Sequence, residues 1–285
     1  MARWGVSTGV AVSQTVCGLG VVADRYGTLM ADNYQETITP GTSVTITIRA
    51  TDGGEFNCYL ATPAGGEQAP AVVLACSIDG VDGDLCQIAD EFAAAGYIAT
   101  APDLFWRTIP GPLPSGDPRT QERSQPRLDT IRTNERDVID TLAYLRTLPQ
   151  YNGRAAVMGF CYGGPFAILG PKRLGYDAGI ACHGSQMLDY IRDLNDVTAP
   201  VCLIWGDQDH RAPPPVLDAY QDIAARMTNV EVDIFPGIQH GFMMPSDRVA
   251  FDAKTRDFAM ARTFAILDGL RGAAVRHRAG LTHDI

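Results

Sequence analysis

Apolar positions change period repeatedly along the chain, and each change marks a predicted element. Val44-Thr45-Ile46-Thr47-Ile48 alternates apolar with polar, the period of a strand with one buried face. Thr51-Asp52-Gly53-Gly54 predicts a hairpin turn, with Phe56-Asn57-Cys58-Tyr59-Leu60 as the return strand. Ala71 to Ala75 is apolar throughout, as suits a strand covered on both faces. Leu85, Ile88, Phe92 and Ala95 then recur at helical spacing and stop at Gly96. Tyr97 to Ala101 reads as the next strand. It empties into Pro102-Asp103-Leu104-Phe105-Trp106-Arg107 and a Pro/Gly-rich stretch to Pro118, a long loop expected to cover the carboxyl edge of the sheet.

The second half repeats the alternation. A helix is predicted from about Leu128 to Leu148, with Ile131, Val138, Leu142 and Leu145 inward. Arg154 to Phe160 is a buried strand, followed by a helix to about Gly175. Gly179 to Cys182 and Val201 to Trp205 are two further strands, Pro213 to Met227 a helix, and Val230 to Phe235 the last strand. A closing helix is expected over residues 247 to 270, with Phe251, Phe258, Ala261 and Ile266 inward. Strands alternating with helices after one hairpin define an α/β fold: a mostly parallel central sheet, helices on both faces, and an N-terminal antiparallel hairpin.

The boundaries follow from the same pattern. Residues 1–40 form an extension, 41–272 one α/β domain, and 273–285 a C-terminal tail. Met1-Ala2-Arg3 and the run from Trp4 to Ala23 resemble a signal peptide in charge and apolarity, but Ser7, Thr8, Ser13, Gln14 and Thr15 interrupt the run. A disordered or loosely docked extension on a cytoplasmic protein is the expectation. At 285 residues and 46% hydrophobic, the chain suffices for one large core. A net charge of −10 without a basic cluster excludes a nucleic-acid partner, and no run is apolar enough to span a membrane. The seven cysteines are scattered with no Cys-x-x-Cys pair, which suits reduced thiols better than disulfides or zinc. A monomer or homodimer without a cofactor is expected.

One stretch carries chemistry. Gly159-Phe160-Cys161-Tyr162-Gly163-Gly164 joins a buried strand to a helix through glycines, with Cys161 at the apex. This is the nucleophile-elbow pattern of α/β-hydrolases with sulfur in place of oxygen, and the N-terminus of the next helix is expected to favour the thiolate. The acid and the base follow in the order that fold uses. Asp209 lies in Trp205-Gly206-Asp207-Gln208-Asp209 after a strand, with Asp207 its rival or a turn former. His240 lies in Pro236-Gly237-Ile238-Gln239-His240-Gly241-Phe242 after the last strand. His183 ends a strand near the same edge. Three adjacent ligands on one turn rarely converge, so an Asp207/Asp209/His210 metal site is not expected. The backbone N–H groups of Ile78 and Tyr162 are the candidate oxyanion donors.

With these residues in hand, the chain resembles the dienelactone hydrolase family over roughly residues 44 to 270. The likeness rests on the Cys161, Asp209 and His240 motifs, on Asp52-Gly53-Gly54-Glu55-Phe56, and on Gly96-Tyr97 with Pro102-Asp103-Leu104-Phe105. It implies hydrolysis of small-molecule esters or lactones without metal or organic cofactor. Two departures stand out. A glutamate that the family places beside the thiol is Ser77 here, with Asp79 nearby but, by alternation, on the other side. A family arginine shortly after the histidine is absent from Phe242-Met243-Met244, which leaves Arg123 or Arg127 to hold a substrate carboxylate. Trp106, Phe105, Tyr162, Phe242, Met243 and Met244 suggest an apolar pocket, with Ser77 and Arg123 as further pocket residues, for a neutral or weakly polar substrate. An acyltransferase using the same thioester, a non-catalytic binding module and a thiol redox sensor are the alternatives.

Overall fold

The computed structural model describes residues 39–211 and 214–272. The extension assigned to residues 1–40 lies, up to residue 38, outside the described residues, as does the tail over 273–285. Eight strands are found among the described residues: β1 (Ser43–Arg49), β2 (Glu55–Ala61), β3 (Ala69–Ala75), β4 (Ile98–Pro102), β5 (Tyr151–Phe160), β6 (Ala178–Cys182), β7 (Val201–Gly206) and β8 (Val230–Phe235). They form one sheet in the order β1-β2-β4-β3-β5-β6-β7-β8. β1 pairs antiparallel with β2, and β2 antiparallel with β4; every pair from β4 to β8 is parallel.

Burial follows the sequence period. In β1 only Ile46 and Ile48 are buried, whereas every residue of β3, β4, β6 and β7 is. α1 (Gly83–Ala94) starts on an Asp82 carboxylate that accepts the Leu85 N–H at 2.9 Å. α1 and α6 (Ala253–Arg271) pack together on the sheet through Phe92 and Phe264, whose rings meet edge-on at 5.3 Å, and an Arg256–Glu91 ion pair of 2.8 Å. α3 (Arg127–Leu145), which follows the short α2 (Pro118–Arg123), and α4 (Phe166–Leu169) cover the opposite face. α5 (Pro214–Arg226) packs against β8.

Two expectations need correction. The closing helix begins at Ala253, six residues late, because Asp247 folds the preceding segment into a turn by accepting the Val249 and Ala250 N–H groups. Asp252 then caps the helix. Its buried stripe is therefore Thr255, Ala259, Met260, Thr263, Leu267 and Leu270. Phe258 and Ile266 are half-buried, Ala261 is exposed, and Phe251 lies outside the helix. The helix after Cys161 is also not continuous. A 3-10 turn (Cys161–Gly163), α4 and a π turn (Gly170–Leu174) follow one another, and Pro171 inside the last has no N–H for a regular ladder.

The sheet order creates the crevice. From β3 the chain crosses one way to β4 and later the other way to β5, so the loops after β3 and β5 diverge at the carboxyl edge. The elbow is locked there by close backbone contacts. A Cβ on Gly159 would lie 2.0 Å from the Gly163 carbonyl oxygen, and one on Gly163 would lie 2.1 Å from that of Ala75. Cys161 itself takes φ 47°, a strained left-handed conformation held by those contacts. Gly163→Ala is expected to cost about 3 kcal/mol or more, since backbone must move to admit one methyl. Thermal unfolding would show it as a fall of roughly 6–12 °C at this chain length.

Candidate active site

Three loops converge at the carboxyl edge. The loop after β5 presents Cys161, half-buried at the apex. The loops after β7 and β8 are stitched to each other. Gln208 N–H donates to the Ile238 carbonyl at 3.0 Å, and Asp207 N–H to that of Phe235 at 3.0 Å. The Asp207 carboxylate accepts the Gly237 N–H at 2.7 Å, so Asp207 is spent on loop architecture. Gly206 has no room for a side chain, because a Cβ there would lie 2.0 Å from the Ile238 carbonyl oxygen. Asp209, 4% exposed, faces the other way and accepts from His240 Nδ1 at 2.8 and 2.9 Å. It also accepts the Arg211 N–H at 2.7 Å.

That contact fixes the tautomer: with Nδ1 protonated, Nε2 is the free nitrogen of a neutral ring. Nε2 is buried and has no hydrogen-bond partner among the described residues. Burial pulls the imidazole down, but Asp209 and Cys161 outweigh it and raise His240 to about 9. Burial pushes the Cys161 thiol up, but His240, the Arg127 guanidinium and the Ser185 hydroxyl bring it down to about 7. The two shifts share one cause. A thiolate and an imidazolium facing each other each stabilise the other's charge.

Ser185 and Arg127 complete this environment, and sequence reasoning missed the first. Ser185 N–H donates to the Cys161 carbonyl at 2.8 Å, and its hydroxyl lies 3.7 Å from Sγ. Arg127 Nη2 donates to that hydroxyl, and the guanidinium lies 4.5 Å over the Tyr162 ring. The thiol is therefore stabilised by side chains from the loops after β6 and β8 and from the start of α3. The signal for Ser185 lay in Cys182-His183-Gly184-Ser185, a strand end followed by glycine, but no spacing rule points from there to Cys161.

The cavity above Sγ has a volume of about 820 Å³. Ser77, Ile78, Cys161, His183, His210 and His240 line it, together with residues 113–118, Thr120 and Gln121. The loop before α2 thus covers the edge as expected. His183 is 1% exposed, with φ 41° and its ring 4.9 Å from that of His240. Ile78 lines the cavity from the loop after β3, and Tyr162 follows Cys161 in the chain.

Three expected pocket residues lie elsewhere. Trp106 stacks on Phe56 at 6.1 Å beside the hairpin turn. Phe242 is wholly buried behind His183, 5.1 Å ring to ring. Arg123 is 1% exposed and points away from the cavity. Its N–H groups donate to the carbonyls of Ile78 at 2.6 and 3.0 Å, Ile109 at 2.9 Å and Gly111 at 2.6 Å. A buried guanidinium satisfies its fork where carbonyls converge, and here they converge under the loop after β3. Asp79, by contrast, lines the cavity, because the turn closed by the Ser77–Gly80 bridge ends the strand alternation. The walls are accordingly more polar than apolar residues in the sequence suggested.

An eight-stranded, mostly parallel sheet with a cysteine elbow, and Asp and His loops behind it, is an α/β-hydrolase fold. A profile of the Dienelactone hydrolase family matches residues 56–270, and the chain belongs to that family of ester- and lactone-cleaving hydrolases. Carboxymethylenebutenolidase 1 of Cupriavidus pinatubonensis is 28% identical over 229 residues, covering 79% of this chain and 97% of the relative. The carboxymethylenebutenolidase of Pseudomonas putida is 28% identical over 173 residues, 60% of this chain and 73% of the relative. Among solved structures, a dienelactone hydrolase-like promiscuous phosphotriesterase from metagenomic libraries superposes with a TM-score of 0.67 at 18% identity. It covers 81% of this chain and 99% of that one. Dienelactone hydrolase from Anabaena variabilis gives 0.58 at 16% identity, over 80% and 99%. Among the described residues no helix is long and apolar enough to cross a membrane.

The thiol environment predicts a measurable titration. Ser185→Ala and Arg127→Met should each move the pH midpoint of iodoacetamide alkylation at Cys161 upward from about 7, because each removes a cause of the lowered value. An unmoved midpoint in both variants would assign the whole depression to His240.

Proposed function

We propose that Cys161, His240 and Asp209 act as a catalytic triad that hydrolyses esters or lactones lacking a carboxylate, through a thioester on Cys161. The observation that carries this reading is an imidazole clamped by a buried carboxylate at 2.8 Å and lining one cavity with the cysteine of the elbow. The thiolate attacks the carbonyl carbon, and the oxyanion is met by the N–H groups of Ile78 and Tyr162. The imidazolium gives its Nε2 proton to the departing alkoxide, which leaves a thioester and a neutral ring. His240 then takes a proton from water, hydroxide adds to the thioester carbonyl, and collapse releases the acid and restores thiolate and imidazolium. Asp209 stays ionised throughout, holding the ring by Nδ1 and balancing its charge.

Two features favour a substrate without a carboxylate. Met244 stands on the cavity wall shortly after His240, where a guanidinium would have anchored an anion, and Arg123 is fully engaged by carbonyl oxygens.

Cys161→Ala is expected to abolish hydrolysis of an activated aryl ester without altering the unfolding temperature. Intact-mass spectrometry of the unaltered protein, quenched early, should show one acyl group on Cys161; turnover by the alanine variant would refute the assignment. The rate should rise as pH passes about 7, where the thiol ionises, and fall above about 9, where the imidazolium loses its proton. A single rising limb to high pH would exclude His240 as the acid for the leaving group.

A further inference from the structure

The wall charge of the cavity is one-sided. Asp79, Asp82, Asp84, Asp117 and Asp247 line it, against the guanidinium groups of Arg211 and Arg248. Both arginines are exposed at the rim. Most of the carboxylates are committed to the protein. Asp82 caps α1, Asp84 accepts from the Ser246 N–H and hydroxyl, and Asp117 pairs with Arg119 at 2.6 Å. Asp247 holds the turn before α6.

Asp79 is different. It is half-buried, and the Ser77 hydroxyl at 3.4 Å is the side-chain contact its carboxylate makes. Arg123 runs beneath it, yet that guanidinium donates to backbone carbonyls and makes no ion pair with Asp79 among the described residues. Burial raises the acid's pKa, and the Ser77 hydroxyl and the Arg123 charge offset part of that rise. It also stands one residue beyond Ile78, the proposed oxyanion donor. A second polar group reaches the same space unpartnered: His183 is 1% exposed, lines the cavity, and has neither ring nitrogen hydrogen-bonded. Burial, then His240, keeps that ring neutral, so it adds no positive charge.

We infer that the cavity takes esters carrying a cationic group, seated on the Asp79 carboxylate a few atoms from the scissile carbonyl. This rests on the proposed triad for its chemistry, but the binding claim stands on the wall itself. An ammonium beside Asp79 gains a cavity-facing carboxylate that makes no direct ion pair among the described residues, whereas a carboxylate there meets a like charge in a partly desolvated site.

The test uses the full-length protein and three p-nitrophenyl esters of matched length: 4-(trimethylammonio)butanoate, its uncharged tert-butyl isostere 5,5-dimethylhexanoate, and the glutarate half-ester. The expected order of kcat/KM is cationic, neutral, anionic, with about tenfold between the first two. Asp79→Asn should bring that ratio close to one while the neutral ester changes by less than about twofold. A preference for the anionic ester, or a ratio that survives Asp79→Asn, overturns the inference. So does an equal loss on all three esters, which would make Asp79 part of the general machinery. Binding separates this from the triad. Calorimetry of a non-hydrolysable choline ether with Cys161→Ala, against the double variant with Asp79→Asn, should show affinity falling about tenfold. Equal affinities overturn the inference whether or not the protein hydrolyses esters.

Discussion

An ionised sulfur at the end of apolar strands has to be compensated by charge brought from elsewhere in the chain. Phe160 before Cys161 and Tyr162 after it are wholly buried, so water alone does not solvate a thiolate there. Compensation arrives from the loop after β8 as His240, and from the start of α3 as Arg127 acting with Ser185. Asp209 and Cys161 together hold His240 charged, and the Asp209 loop is pinned to the loop after β8. The elbow glycines, the divergent loops of β3 and β5 and the stitched loops of β7 and β8 all answer to this one electrostatic requirement.

Arg123 shows how a residue type can mislead when its surroundings are unknown. As a cation near a ligand cavity it invites reading as an anion clamp. In the fold it collects carbonyl oxygens from Ile78, Ile109 and Gly111, and so holds the loop that carries Ile78 in place. The cavity lining then sets five carboxylates against two guanidinium groups, and those acids are scattered over some 170 positions, from Asp79 to Asp247.

What was legible in the sequence were local rules: period 2 in β1, the apolar runs of β3 and β5, and glycines flanking Cys161. The placement of Asp209 opposite His240 was legible too, because acid and base each follow a strand end in a known chain order. What escaped was tertiary. Trp106 and Phe242 look alike as aromatic candidates, and only packing shows that one stacks on Phe56 while the other backs His183. Ser185 meets Cys161 across 24 residues through a strand-end contact with no sequence signature. The closing helix starts later than its apolar positions suggest, because Asp247 closes a turn and Asp252 is the cap.

The stitching between the loops after β7 and β8 has a mechanical side. Four contacts, from Asp207 to Gly237, Asp207 to Phe235, Gln208 to Ile238 and Asp209 to His240, make the two loops one stiff plate. The carboxylate and the imidazole are thereby held as one unit at the carboxyl edge.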